Sequence, residues 1–235
     1  MSQTSKPLTQ VQARHVRERD TIKLKPVGFR LLTQWLLSER LVVRLAALFT
    51  LETAAFLICQ TIAYLWLPEG LLRDVTFGSV VVGNEAASSF FLEFARIAAW
   101  NLPVLGLFYV ALNLVRFANG IPWGYLPAVT LPAFLGVVTG TNSFSMATVV
   151  GKIAPSLEMV THPGFYEIFA YVLAAAATYE ITRWQFVTVG GKESIVKFQP
   201  THGGWRSREL WIGLVVAVGI LLAANAWEAQ LILAL

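Results

Sequence analysis

The sequence predicts an all-α protein: a polytopic membrane bundle of five transmembrane helices, N-terminus inside, C-terminus outside, with a proline-kinked third span. Three observations predict it. Of 235 residues, 56% are hydrophobic and 14% are Asp, Glu, Lys or Arg, whereas soluble domains carry about 25% charged residues. The apolar residues gather into five separated runs, each near the roughly 20 residues that an α-helix needs to cross a hydrocarbon core. Basic residues are spread unevenly over alternate loops, and in a membrane protein that asymmetry sets orientation. A transmembrane barrel needs alternating strands of about ten residues, and runs such as 168–178 are unbroken instead.

Residues 1–27 are polar and basic, with Lys6, Arg14, Arg17, Arg19, Lys23 and Lys25, and read as a disordered cytoplasmic tail. No short apolar core with a small-residue cleavage site is visible there, so the first span is expected to serve as an uncleaved signal-anchor. In 28–40, Phe29, Leu32, Trp35 and Leu36 share a helical face opposite Arg30, Gln34 and Ser38, the pattern of an interfacial amphipathic helix. Residues 41–235 then form the bundle. The first span, 41–67, is closed by Trp66 and the break Pro68-Glu69-Gly70, an aromatic anchor followed by a stop. A loop follows over 71–90, whose apolar stretch 80–82 is too short to cross. The second span, 91–118, ends at the Asn119-Gly120 turn signal. Pro122, Pro127 and Pro132 fall in the third, 121–140, where a ring inside a helix removes a hydrogen bond and kinks it. The segment 141–163 is more polar and reads as an outer connection with a short helix. The fourth span, 164–184, carries Ala174 to Ala177, small residues that let helix backbones approach. A polar loop with Lys192, Lys197, Arg206 and Arg208 leads to the fifth, 210–235.

Orientation follows from position. Lys6, Arg14, Arg17, Arg19, Lys23, Lys25, Arg30, Arg40, Arg44, Arg116, Arg183, Lys192, Lys197, Arg206 and Arg208 fall on one side, against Arg73, Arg96 and Lys152 on the other. By the positive-inside rule the fifteen lie in the cytoplasm, in a multi-pass protein of the cytoplasmic membrane. The basic tail faces anionic lipid headgroups first, which leaves nucleic acid as no expected partner.

Charged groups within spans cost about 2.5 to 3.5 kcal/mol at mid-helix by insertion scales, so each needs a reason. Glu52 lies nearest mid-membrane and Glu180 near the inner end of the fourth span. On the outer half, Arg96, Asn101, His162 and Glu167 could converge as a partner-binding site. The alternative is structural: Glu93 and Arg96 pair along their own helix, and His162 and Glu167 satisfy loop and backbone groups. No catalytic signature is visible, because His162 with one Glu five residues on supplies too few metal ligands, Ser88, Ser89 and Ser143 have no adjacent base, and Gly190-Gly191-Lys192 lacks the phosphate-loop pattern. Cys59 has no partner for a disulfide. Neither metal nor cofactor is expected.

Asn101, the apolar run after it and the turn Asn119-Gly120-Ile-Pro-Trp-Gly124 resemble the stage II sporulation protein M family. That family carries an Asn at the start of this helix and an Asn-Gly-x-x-x-Gly turn after it. The later run from Thr161 to Ala170 is similar to its His-Gly-x-x-Glu-x-x-Ala motif, with Pro163 inserted so that His162 and Glu167 are five apart instead of four. The resemblance covers about 90–185. It implies a non-catalytic integral membrane protein that holds or localises other membrane or envelope proteins, as an oligomer or hetero-complex. Two other classes stay open: a transporter's membrane subunit working with a separate ATP-hydrolysing partner, and a small accessory subunit of a larger energy-converting complex.

Overall fold

The computed structural model describes residues 27–73, 86–144, 151–189, 192–200 and 204–234; the tail proper and the 80–82 stretch lie outside the described residues. The described residues form six α-helices and three short strands: α1 (Val27–Leu36), α2 (Leu41–Trp66), α3 (Phe90–Val104), β1 (Val115–Arg116), α4 (Pro127–Gly140), α5 (Pro163–Ala177), β2 (Trp184–Val189), β3 (Lys192–Lys197) and α6 (Arg208–Leu233). Among the described residues, four helical stretches are long and apolar enough to cross a membrane: Leu41–Trp66, Phe90–Leu114, Trp123–Gly140 and Arg208–Leu233. The expected fourth span is not among them. The apolar run there continues to Trp184, but the α-helix stops at Ala177, passes through a 3-10 turn over Thr178–Ile181, and gives way to a strand.

The all-α expectation is corrected. β2 pairs antiparallel with β3 from Trp184 opposite Lys197 to Val189 opposite Lys192, and β1 runs parallel to β2 with Val115 beside Trp184. The expected polar loop after the fourth span is therefore largely a hairpin. On its near side, α1 ends at Leu36, packs Leu36 into the core and leaves Trp35 exposed, so the amphipathic face is narrower than the four apolar residues predict. The short helix expected in 141–163 is a 3-10 turn over Leu157–Thr161.

Proline placement also differs from the expectation for the third span. Pro122 precedes a 3-10 turn, Pro127 opens α4 where no N–H bond is lost, and Pro132 alone lies inside the helix. A further interior proline, Pro103, falls in α3. Just beyond it the chain widens into a π-helical segment, Leu105–Val110, then tightens into a 3-10 turn, Ala111–Leu114. A proline ring obstructs the carbonyl one turn earlier, and π segments absorb such an irregularity within a helix.

Glycine and alanine hold the helices close. A Cβ at Gly136 would collide with the carbonyl oxygen of Phe56, and one at Gly140 with that of Gln60. Since higher numbers on α2 meet higher numbers on α4, the two run parallel. Arg44 reaches Ala176 and Phe49 meets Phe169 at 5.2 Å, so α5 runs antiparallel to α2. A Cβ at Gly213 of α6 would lie 2.5 Å from that of Ala177. Ala170 and every residue from Tyr171 to Ala177 are buried, which makes α5 the helix around which the others pack. Small side chains permit that closeness where lipid gives no hydrophobic drive between helices.

Candidate functional site

Three helices bring their polar residues to one level. Asn101 of α3 donates through Nδ2 to Glu167 Oε1 of α5 at 2.8 Å and to Asn225 Oδ1 of α6 at 2.8 Å. In the alternative amide orientation Asn225 itself donates to Glu167 at 2.7 Å and to Leu221 O at 3.2 Å. Glu228 follows Asn225 by one turn on α6. Tyr109 and Tyr171 stack one turn inward of this cluster at 4.8 Å between ring centres.

Of the four residues expected to converge, the structure joins Asn101 and Glu167 and separates the other two. Arg96 binds Glu93 on its own helix at 2.6 Å, while the other oxygen of Glu93 accepts from Ala87 N at 2.7 Å. Exposed His162 caps no backbone group of α5. It is extended (φ −113°, ψ 145°) because the Pro163 ring disfavours helical backbone in the preceding residue, so its side chain never joins the helical face that carries Glu167. Asn225 and Glu228 were missed, although each interrupts an apolar run and the cost of a charged group in a span applies to Glu228 as it does to Glu52.

Glu52, at the midpoint of α2, is 2% exposed, and its Oε2 has no hydrogen-bond partner among the described residues. With Arg44 and Gln60 it forms a buried polar stripe on α2 at eight-residue spacing. Glu180 lies in the 3-10 turn at the end of α5.

The turn residues have structural work. Asn119 Oδ1 accepts from Ile121 N at 3.1 Å, and Gly120 adopts φ +87°, a left-handed conformation that glycine takes without steric cost. Gly124 lies so close to Asn113 that a Cβ would overlap Oδ1. Asn113 in turn donates to Ala175 O at 2.8 Å and to Thr178 Oγ1 at 2.7 Å. The 3-10 turn after the π segment thus sets an asparagine between Gly124 and the end of α5.

A second constellation closes the end of the bundle where α5 stops. Arg44 of α2 donates to Ala176 O, Ser38 O and Glu39 O at 3.2, 2.6 and 2.8 Å. Arg116 of β1 donates to Thr182 Oγ1 at 2.9 Å and Tyr179 O at 2.6 Å. Their guanidinium carbons lie 4.6 and 4.1 Å from the centre of the Tyr179 ring. Both cations therefore occupy the C-terminal end of α5, where orphaned carbonyls and the negative end of the helix dipole favour them. Burial pulls the Arg116 guanidinium below its ordinary value, opposed by Tyr179 and Glu180.

No family model, curated protein or solved structure matches the chain.

The Asn101 node gives a measurable expectation. Asn101→Leu removes the donor shared by Glu167 and Asn225 and is expected to lower stability in detergent by about 1 kcal/mol, in the upper part of the range for hydrogen bonds between membrane helices. Paired with Asn225→Leu, the loss should fall short of the sum of the two, because the residues serve one network. Unfolding of the single and double variants checks both statements, and strict additivity would show the network to be independent contacts.

Proposed function

We propose that the chain is a non-catalytic integral membrane scaffold or accessory subunit that docks and positions other membrane or envelope proteins. One observation carries the reading: polar groups inside the bundle tie helix to helix, as Asn101, Glu167 and Asn225 do across α3, α5 and α6. Arg44 and Arg116 tie the inner ends in the same way. Groups committed to closing a bundle suit a rigid platform better than a pathway that must open. The resemblance of Asn101, the Asn119 to Gly124 turn and the Glu167 region to a family of partner-holding membrane proteins points the same way.

In this reading α5 and its 3-10 continuation make a fifth crossing inside a ring of the other four, with the N-terminus and the hairpin in the cytoplasm and the C-terminus outside. Its antiparallel course to α2 and the asymmetry of fifteen basic residues against three support that orientation.

A transport subunit is the reading to exclude, since it needs water to reach Glu52. In a Cys59→Ala background, a cysteine at position 52 is expected to resist aqueous thiol reagents from either side, while one at position 233 labels from outside only. Labelling at 52 would overturn the closed scaffold, and labelling of 233 from the cytoplasm would overturn the five-crossing topology. Isolation of the native chain in mild detergent is expected to bring a membrane or envelope protein with it; a chain always recovered alone would end the scaffold reading.

A further inference from the structure

The hairpin carries a surface that the scaffold reading does not use. Its root sits where three helical segments end: β1 follows directly on Leu114, β2 begins three residues after Ile181, and β3 leads by a short connection to α6 at Arg208. The pair Trp184 and Lys197 therefore lies at the boundary of the bundle, and the pair Val189 and Lys192 at the far tip. Alternation along the strands sends Trp184 and Phe186 to one face, together with their cross-strand partners Lys197 and Ile195. That face holds an open groove of about 380 Å³ lined by Val115, Trp123, Trp184, Phe186 and Ile195.

Several features give the groove its chemistry. Its wall is rigid, because Trp123 stacks on Phe186 at 5.4 Å and 4° and on Phe117 at 5.3 Å. Its apolar residues are nonetheless open to the surroundings, with Trp184 46% and Ile195 59% exposed. The indole N–H of Trp123 finds no acceptor among the described residues. Exposed Lys197 lies on the same face, opposite Trp184, and the segments that flank the hairpin in the chain carry exposed Arg183, Arg206 and Arg208 against Glu193 and Glu209. Trp205 and Trp211, 6.2 Å apart and exposed, continue the aromatic band onto the start of α6. Tryptophan beside lysine and arginine at the end of spanning helices is the composition of a headgroup interface.

We propose that the hairpin root is a binding site for an anionic phospholipid of the leaflet on the basic side of the bundle. Apolar parts of the lipid occupy the groove of Trp123, Trp184, Phe186 and Ile195, and the phosphate lies against Lys197. The occupant is a lipid because the groove opens at the membrane boundary and because apolar floor and cationic rim lie on one face. It differs from a diffuse attraction of the basic tail, since the hairpin supplies a shaped cavity and a single named cation beside it.

The test uses the full chain reconstituted in nanodiscs of equal parts phosphatidylcholine and phosphatidylglycerol, released into mild detergent and weighed by native mass spectrometry. The chain is expected to retain phosphatidylglycerol in preference to phosphatidylcholine. Lys197→Ala should lower that preference about fivefold, the factor corresponding to about 1 kcal/mol for one basic residue at a charged surface. Ile195→Asp, an exposed change that places a negative charge in the groove, should abolish it, whereas Lys192→Ala at the tip should leave it nearly intact. Equal retention of the two lipids by the unaltered chain would overturn the proposal without any variant. A preference unchanged in both Lys197→Ala and Ile195→Asp would overturn it too, and so would equal losses from Lys192→Ala and Lys197→Ala, which would reveal charge without a site.

Discussion

Gly136→Leu is expected to prevent α2 and α4 from closing. The carbonyl oxygen of Phe56 occupies the place of the first side-chain carbon, and Gln60 N lies 3.0 Å from it. Neither is the far end of a flexible side chain; both are backbone of a facing helix, so relief requires the helices to move apart. That movement also opens the close approach one turn on, where a Cβ added at Gly140 would lie 2.5 Å from Gln60 O and 2.9 Å from Ala63 Cβ. Overpacking of a well-packed interior costs about 1 to 3 kcal/mol and occasionally more. A collision with the backbone of a facing helix belongs at the upper end. The sign is protected against the usual confusion, because leucine favours helix over glycine by nearly 1 kcal/mol and propensity alone would stabilise. Gly219→Leu is the control: nothing lies within 4 Å of its added carbon, so it should be neutral or stabilising. Unfolding in detergent of the two leucine variants side by side decides, and equal stabilities would show that the close approach of α2 and α4 contributes little.

Arg116→Met should be comparably damaging for a different reason. It strips Tyr179 O and Thr182 Oγ1 of their donor and leaves the Tyr179 ring with Arg44 alone. Hydrogen bonds from charged groups contribute about 1.5 to 3 kcal/mol each, and without Arg116 the Tyr179 carbonyl keeps only the longer contact from Thr182 Oγ1 at 3.3 Å. The expected loss is about 2 to 4 kcal/mol on that basis, with Arg44→Met similar. Lysine is not expected to rescue either position, since a single ammonium cannot span two acceptors with the flat fork of a guanidinium. Arg206→Met, exposed at the surface, should change stability little. If Arg116→Met unfolds at the same point as Arg206→Met, the arginines are passengers at the end of α5 and not its cap.

Much of this architecture is visible in the amino acids, and the parts that are not have physical reasons. The crossing helices α2, α3, α4 and α6 follow from uninterrupted apolar length, which hydrocarbon thickness converts directly into structure. The hairpin escaped because its lysines drew attention as topology markers. Its own signal was present: two runs rich in Val, Ile, Phe and Trp separated by Gly190-Gly191 alone, a two-residue hairpin spacing. The end of α5 escaped because Thr178, Tyr179 and Ile181 are as apolar in context as what precedes them. Its helix stops where Asn113 and Arg116 reach in from a distant part of the chain, and such long-range partners leave no local trace. At the candidate site, the expected meeting of Asn101 and Glu167 is found. Arg96 and His162 stand apart because a neighbour one turn away and a proline one residue on act before any distant helix can. Asn225 needed no alignment to be noticed, only the same question about cost that was asked of Glu52.

The burial of α5 has a consequence for how the chain comes to be made. A helix with alanine on every side and neighbours pressed against each of them has little to offer lipid, and 15 residues give it little reach across the bilayer. Left alone in hydrocarbon it would present Glu167 and the unsatisfied carbonyls of its C-terminal end with no partner. Its companions Asn225, Glu228 and Gly213 all belong to α6, which is made after α5. The central helix is therefore synthesised before the wall that completes its enclosure, and the insertion machinery must shelter it until that wall arrives. Assembly of this protein has a vulnerable interval fixed by the order of α5 and α6 along the chain, and it closes only when α6 docks.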